Sequence, residues 1–186
     1  DGVLVDVSAS YRAAISETAA SFGVQVTNDD IERCKQAGQA NNDWIVTQRL
    51  LKDAGVERDL ETVTERFESL YWGDGDTPGL YRSESFIGDP ERLRALVARY
   101  PIAAVTGRPK RDALHVLERF GVLNCFSAVI TMEDAPAKPS PRPVELALER
   151  LGVNRAWMLG DTRDDIDAAR AAGVLPFGTI SPGKTS

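Results

Sequence analysis

Histidine and cysteine are scarce in this 186-residue chain: one His and two Cys. Cys34 and Cys125 lie far apart and match no metal or redox spacing. They read as free buried thiols in a reducing cytoplasm, with a disulfide as the less favoured alternative. A lone histidine leaves a Ser-His-Asp triad without support; His115 falls on a predicted helix at core spacing and reads as a packed or surface residue. Positive charge is also short. Lys and Arg number 22 against 28 Asp and Glu, a net charge of −6 and a pI of about 4.9, which argues against nucleic acid or an anionic membrane as partner. No apolar run approaches the ~18 residues of a membrane span, and no basic segment followed by an apolar one marks a signal peptide. The chain has neither a Walker glycine loop nor a G-x-G-x-x-G, so a nucleotide-cradling loop is not expected.

What is present is ordinary globular composition, 42% apolar and 27% charged, on a chain long enough to bury a core. Residues 9–72 read as successive helices. The first runs from Tyr11 through Ala19 and Phe22 to a stop at Gly23. The second is capped from Asn28, Asp29 or Asp30. The third holds Trp44, Ile45, Gln48, Leu50 and Leu51 and ends at Gly55. The fourth spans 60–71, with Val63, Phe67 and Leu70 on one face. Gly73, Gly75, Pro78 and Gly79 mark a loop. From about residue 85 short apolar strands (102–105, 128–131, 156–159, 174–177) alternate with helices (90–100, 112–120, 143–151, 164–172). That alternation predicts an α/β fold, a Rossmann-like parallel sheet covered on both faces. Residues 1–8 and 86–186 form the α/β core, and 9–85 a mostly α-helical insertion.

Open parallel sheets bind ligands beyond the carboxyl ends of their strands. There the chain places Thr106, Gly107 and Arg108; then a loop with Glu133, Asp134 and Lys138, stiffened by Pro139 and Pro141; then Asp161, Thr162, Arg163, Asp164 and Asp165. Clustered carboxylates repel unless a hard cation sits among them, and Mg2+ takes a few carboxylate oxygens, water and substrate phosphate. An ammonium and a hydroxyl aimed at the same point suit a phosphoryl group.

At these residues the chain resembles the haloacid dehalogenase superfamily, in its phosphatase-like branch with a helical cap inserted after the first strand. Asp1-Gly2-Val3-Leu4-Val5-Asp6 resembles the second half of the opening D-x-D-G-(T/V)-L motif. Thr106-Gly107-Arg108 resembles the second motif, Lys138-Pro139-Ser140-Pro141 the third, and the run from Gly160 to Ile166, followed by Ala168, Ala169, Ala172 and Gly173, the fourth. Each match is short; all four in order, each at a predicted strand end, is specific. The cap matches in helical character alone. The family's nucleophilic Asp would stand two positions before Asp1, so the resemblance implies preceding residues that carry it and the central strand. A truncated, inactive chain is the alternative.

The resemblance implies Mg2+-dependent hydrolysis of a small-metabolite phosphate ester through an aspartyl-phosphate. Asp1 would be general acid, then base, and would also lend its backbone carbonyl to the metal. Asp161 would bind Mg2+; Thr106 and the Gly107 amide would hold phosphate oxygens; Lys138 would pair with the nucleophile and the transferring phosphoryl group. Asp165 would join the metal site or orient Lys138 or a metal-bound water, with Asp164 a weaker candidate for that place. Arg108 would reach a substrate anion or lie on the surface. Asn41 or Asn42, before Trp44 in the cap, would read the leaving group, with capping of the next helix as the competing role of Asn42. Asp6 and Ser8 would shape the hinge into the cap. Against these stand blander roles: a helix cap for Asp161, a strand-end hydroxyl for Thr106, a solvated loop charge for Lys138, an exposed first-turn acid for Asp165. A dehalogenase, a phosphomutase or a non-catalytic relative on the same fold remain alternatives. The sequence carries no signal for oligomeric state.

Overall fold

The computed structural model describes residues 1–36 and 42–180. Its chain divides into two compact units, Asp1–Asp6 with Phe86–Ser186, and Val7–Ser85; the first boundary falls two residues earlier than the sequence reading put it. The short strands β1 (Val5–Asp6) and β2 (Ser85–Phe86) lie where the chain crosses from one unit to the other. Among the described residues no helix is long and apolar enough to cross a membrane.

The inserted unit is helical: α1 (Tyr11–Ser21), α2 (Asn28–Gln36), α3 (Asp43–Asp53) and α4 (Leu60–Trp72). On α1 the buried positions are Tyr11, Ala14, Ile15, Thr18 and Ala19, and on α4 Val63, Phe67 and Tyr71. These spacings of three and four place each set on one stripe. The stripes meet in a core of Ile15, Ile31, Val46, Phe67 and Tyr71, where the rings of Tyr11 and Tyr71 stand 4.9 Å apart. Local chemistry sets the helix starts. The Asn42 side-chain oxygen accepts from the Trp44 and Ile45 backbone N–H groups at 3.0 and 3.2 Å, and Asp59 accepts from Thr62. Glu84 is buried here but satisfied, accepting from Ser10 Oγ at 2.9 Å and Tyr71 OH at 3.0 Å.

The α/β unit runs α5 (Pro90–Val97), β3 (Ala103–Val105), α6 (Lys110–Arg119), β4 (Ala128–Ile130), α7 (Arg142–Leu151), β5 (Trp157–Gly160), α8 (Arg163–Ala171) and β6 (Leu175–Gly178). β3 pairs in parallel with β4, Val105 opposite Ile130, and β5 in parallel with β6, Gly160 opposite Gly178. Parallel neighbours need a crossover, and α6 and α8 supply it. α7 contributes Ala147 to the cluster with Ala128 and Ile130, and Val144 to the cluster with Ala168, Ala169 and Val174. One helix thus serves both ladders.

Element ends shift by one to three residues from the sequence reading. α5 stops at Val97 instead of reaching Tyr100: the Arg99 amide bonds the Leu96 carbonyl three residues back, a tightened last turn, and Pro101 disfavours helical backbone at the residue before it. In the described residues the two faces of β5 and β6 differ. Ala156 and Met158 pack toward α8, while Trp157, Leu159, Leu175 and Phe177 are exposed, Trp157 at 74%. Their alternation along the strands puts these four on the other face.

Candidate active site

The loops after β3 and β5 and the loop before α7 deliver the motif residues, and all of them belong to the α/β unit. Thr106 follows β3, its backbone N–H held by the Ile130 carbonyl at 2.9 Å. Two residues on, the Arg108 N–H donates to Thr106 Oγ1 at 3.1 Å. A hydroxyl that accepts this bond keeps its own proton for an outward acceptor. The Arg108 side chain is 2% exposed, and its Nε donates to Asp1 Oδ1 at 2.6 Å. A surface position for Arg108 is therefore excluded.

Asp161 lies against the opening turn of the chain. Gly2 has φ +66°, and a Cβ there would sit 2.0 Å from Asp161 Oδ2 and 2.2 Å from its Cγ. Backbone conformation and space both demand glycine. Capping of α8 falls to Thr162: Thr162 Oγ1 accepts from the Asp165 N–H at 3.2 Å, and the Asp165 carboxylate accepts from the Thr162 N–H at 3.1 Å. This reciprocal box leaves Asp161 outside the cap.

Asp165 is buried, not an exposed first-turn acid. It packs over the end of β5, where a Cβ on Gly160 would come within 2.3 Å of its own Cβ. Its Oδ1 accepts from Lys138 Nζ at 2.5 Å, and its Oδ2 takes both donors of Thr162. Burial pushes this carboxyl's pKa up, but the Lys138 charge and the hydrogen bonds from Lys138 and Thr162 outweigh it and hold it below the usual aspartate value. Lys138 is not a solvated loop charge: its side chain is 9% exposed, and Nζ also reaches the Val105 carbonyl at the end of β3, 3.4 Å away. The Lys138–Pro139 peptide is cis. Asp1 meets Arg108, Gly2 lies against Asp161, and Lys138 meets Asp165, which draws four separate stretches of sequence together. Gly107 and Asp164 are half-buried beside their partners in sequence. Asn41 lies outside the described residues. The side-chain oxygen of Asn42 is committed to the cap of α3.

Among the described residues no three His, Cys, Asp or Glu side chains form a metal cage. The donors present are hard oxygens, with the half-buried Asp161 carboxylate pressed to the Asp1-Gly2 backbone. Such a set fits a cation that keeps several waters and binds through one or two carboxylates plus substrate phosphate. Asp165 is a poorer ligand than Asp161, because both its oxygens already serve Lys138 and Thr162.

A family model for haloacid dehalogenase-like hydrolases matches residues 1–173. The chain belongs to the haloacid dehalogenase-like hydrolases. Over 190 residues it is 47% identical to an imidazoleglycerol-phosphate dehydratase of Phytophthora nicotianae, a match that covers 98% of this chain but 42% of that protein. A phosphoglycolate phosphatase of Agrobacterium fabrum is 34% identical over 185 residues, 96% of this chain and 76% of that protein. The chain thus spans less than half of the first relative and about three quarters of the second. Among solved structures, a predicted phosphoglycolate phosphatase from Haemophilus somnus superposes with a TM-score of 0.79 at 22% identity, over 97% of this chain and 83% of that one; this likeness shows the shared fold, a Rossmann-like core with a helical insertion.

Within this haloacid dehalogenase-like hydrolase, one feature of the site had no sequence signal. Arg108 and Asp1 are 107 positions apart, and nothing local distinguishes an arginine that turns inward from one that faces solvent. Asp112, 2% exposed on the first turn of α6, is a different case, because its spacing one turn ahead of Val116 marks the buried face.

Proposed function

We propose that this hydrolase is a Mg2+-dependent phosphatase acting on a small-metabolite phosphate ester through an aspartyl-phosphate, formed on the aspartate that the family pattern puts two positions before Asp1. The observation that carries the reading is the linkage of the motifs: Lys138 joins Asp165 to the end of β3, and Asp161 lies on Gly2. Asp161 and the Asp1 backbone carbonyl would hold the metal, which when bound offsets charge between nucleophile and phosphate. Thr106 donates its hydroxyl proton to a phosphate oxygen, and the Gly107 amide adds a second donor. Lys138, oriented by Asp165, keeps an ammonium beside the transferring group. Asp1 donates a proton to the bridging ester oxygen as the P–O bond breaks, then takes one from the attacking water.

The names of the 30–34% identical relatives support phosphoglycolate as the first ester to try. A second reading, an imidazoleglycerol-phosphate-like ester, rests on the 47% identity to the Phytophthora protein. The net charge of −6 disfavours nucleic acid, and two buried free thiols support a reducing, cytoplasmic setting. The test is phosphate release by the full-length protein from both esters and a wider panel, with Mg2+ and with EDTA. Metal-dependent release supports the reading. Halide release from a haloacid without metal, isomerised sugar phosphate in place of free phosphate, or no turnover at all would each refute it.

A further inference from the structure

We propose that Arg108 is a positioning residue for Asp1, and that through this contact it governs proton delivery to the leaving group; the inference rests on the phosphatase reading above. The pairing is close, 2.6 Å from Nε to Oδ1, and the guanidinium side chain is 2% exposed. A guanidinium removed from water to this degree needs fixed acceptors for its N–H groups, and Asp1 Oδ1 supplies one, which leaves Oδ2 as the oxygen that carries the proton. The base of the arginine is fixed too. The Arg108 N–H is tied to Thr106 Oγ1 at 3.1 Å, and its carbonyl accepts from the Met132 N–H at 3.2 Å. The Asp1 carboxyl, by contrast, sits on a residue that precedes a glycine at φ +66°. Of the two groups, the arginine is the anchor and the aspartate is the one held. The same residue also touches the hydroxyl expected to grip phosphate, so Thr106 and Asp1 are set relative to one another through a single side chain and its backbone.

General-acid catalysis matters when the leaving oxygen is a poor one. An alkoxide must be protonated as the P–O bond breaks, whereas p-nitrophenolate departs without a proton. A misaligned Asp1 therefore costs rate on alkyl esters and little on p-nitrophenyl phosphate. In the full-length protein, Arg108→Met should lower the ratio of kcat/KM for phosphoglycolate to that for p-nitrophenyl phosphate about 10²-fold, the usual worth of a positioned acid. The loss should appear in kcat more than in KM. Asp1→Asn should shift the ratio similarly, and Arg108→Met on top of Asp1→Asn should lower it no further. Arg108→Lys keeps the charge but not the Nε geometry; it should give a smaller shift in the same direction, and it carries the comparison if the methionine variant fails to fold. Equal losses on both esters, seen as a higher KM, would make Arg108 a direct substrate ligand and overturn the proposal, as would multiplying losses in the double variant. Wild-type protein that releases phosphate from neither ester would instead overturn the phosphatase reading itself.

Discussion

Gly2 is the most constrained single position in the site. Its positive φ disfavours any side chain, and a Cβ would overlap the Asp161 carboxylate. Gly2→Ala should push that carboxylate aside, and displacements near 1 Å at a reacting centre cost about 10²-fold in rate. Steady-state kinetics on phosphoglycolate would read the loss, while a parent-like unfolding midpoint would show that the fold had absorbed the methyl group. The Lys138–Asp165 pair makes a different prediction, because both side chains are under 10% exposed. Lys138→Met leaves a buried carboxylate uncompensated, and breaking such a pair typically costs about 3–5 kcal/mol. The pH dependence should follow. In the parent protein Asp165 titrates below the usual value, so its contribution to stability is complete above the ordinary aspartate pKa of ~3.9 and fades as the pH falls through the lower folded value. Without Lys138, burial dominates and raises that carboxyl's pKa, and protonation then relieves the variant. The stability gap between Lys138→Met and parent should narrow as urea titrations move from pH 7 toward pH 4; a constant gap would mean that the lysine stabilises by packing alone.

At the scale of elements, the start of α3 separates stability from recognition. Asn42→Ala removes an oxygen that serves two backbone N–H groups, and a lost cap of this kind costs about 1 kcal/mol. Asn42→Asp keeps the acceptor. If the Asn42 amide also reads the leaving group, the aspartate variant should retain its unfolding midpoint yet show a raised KM; an unchanged KM would confine Asn42 to capping. This helix also shows why parts of the fold were legible. The stripes of α1 and α4 repeat every three or four residues over 11 and 13 positions, long enough for period to identify both element and face. Strands of three or four residues are too short for that: β5 alternates Trp157 and Leu159 on one side with Met158 on the side of α8, and a continuous apolar run does not say which side is which. The motif residues after β3 and β5 were visible because strand-end position and residue type agree. What each one touches was not. Asp161 and Thr162 are adjacent and both able to cap α8, and only the approach of Gly2 to Asp161 and the reciprocal bonds between Thr162 and Asp165 separate their roles.

For the molecule as a whole, charge decides what the site requires. The chain is acidic overall, and at the site the cations Arg108 and Lys138 are each bonded to a carboxylate, Asp1 and Asp165, with Asp161 as a third anion nearby. A phosphate dianion entering this field meets no surplus of positive charge, and its affinity then depends on an added cation. Mg2+ and phosphate should therefore bind cooperatively, each weakly alone. Ligands that bind only the folded state at about 100 times their Kd add about 2.7 kcal/mol, which for a chain of this size raises the melting temperature by roughly 5–10 °C. Thermal unfolding of the full-length protein with Mg2+, with phosphate and with both should show that shift only for the pair, reversed by EDTA and absent in Asp161→Asn. A full shift with phosphate alone would mean that Lys138 and Arg108 release their carboxylates to bind the anion, and that no metal is needed to hold it.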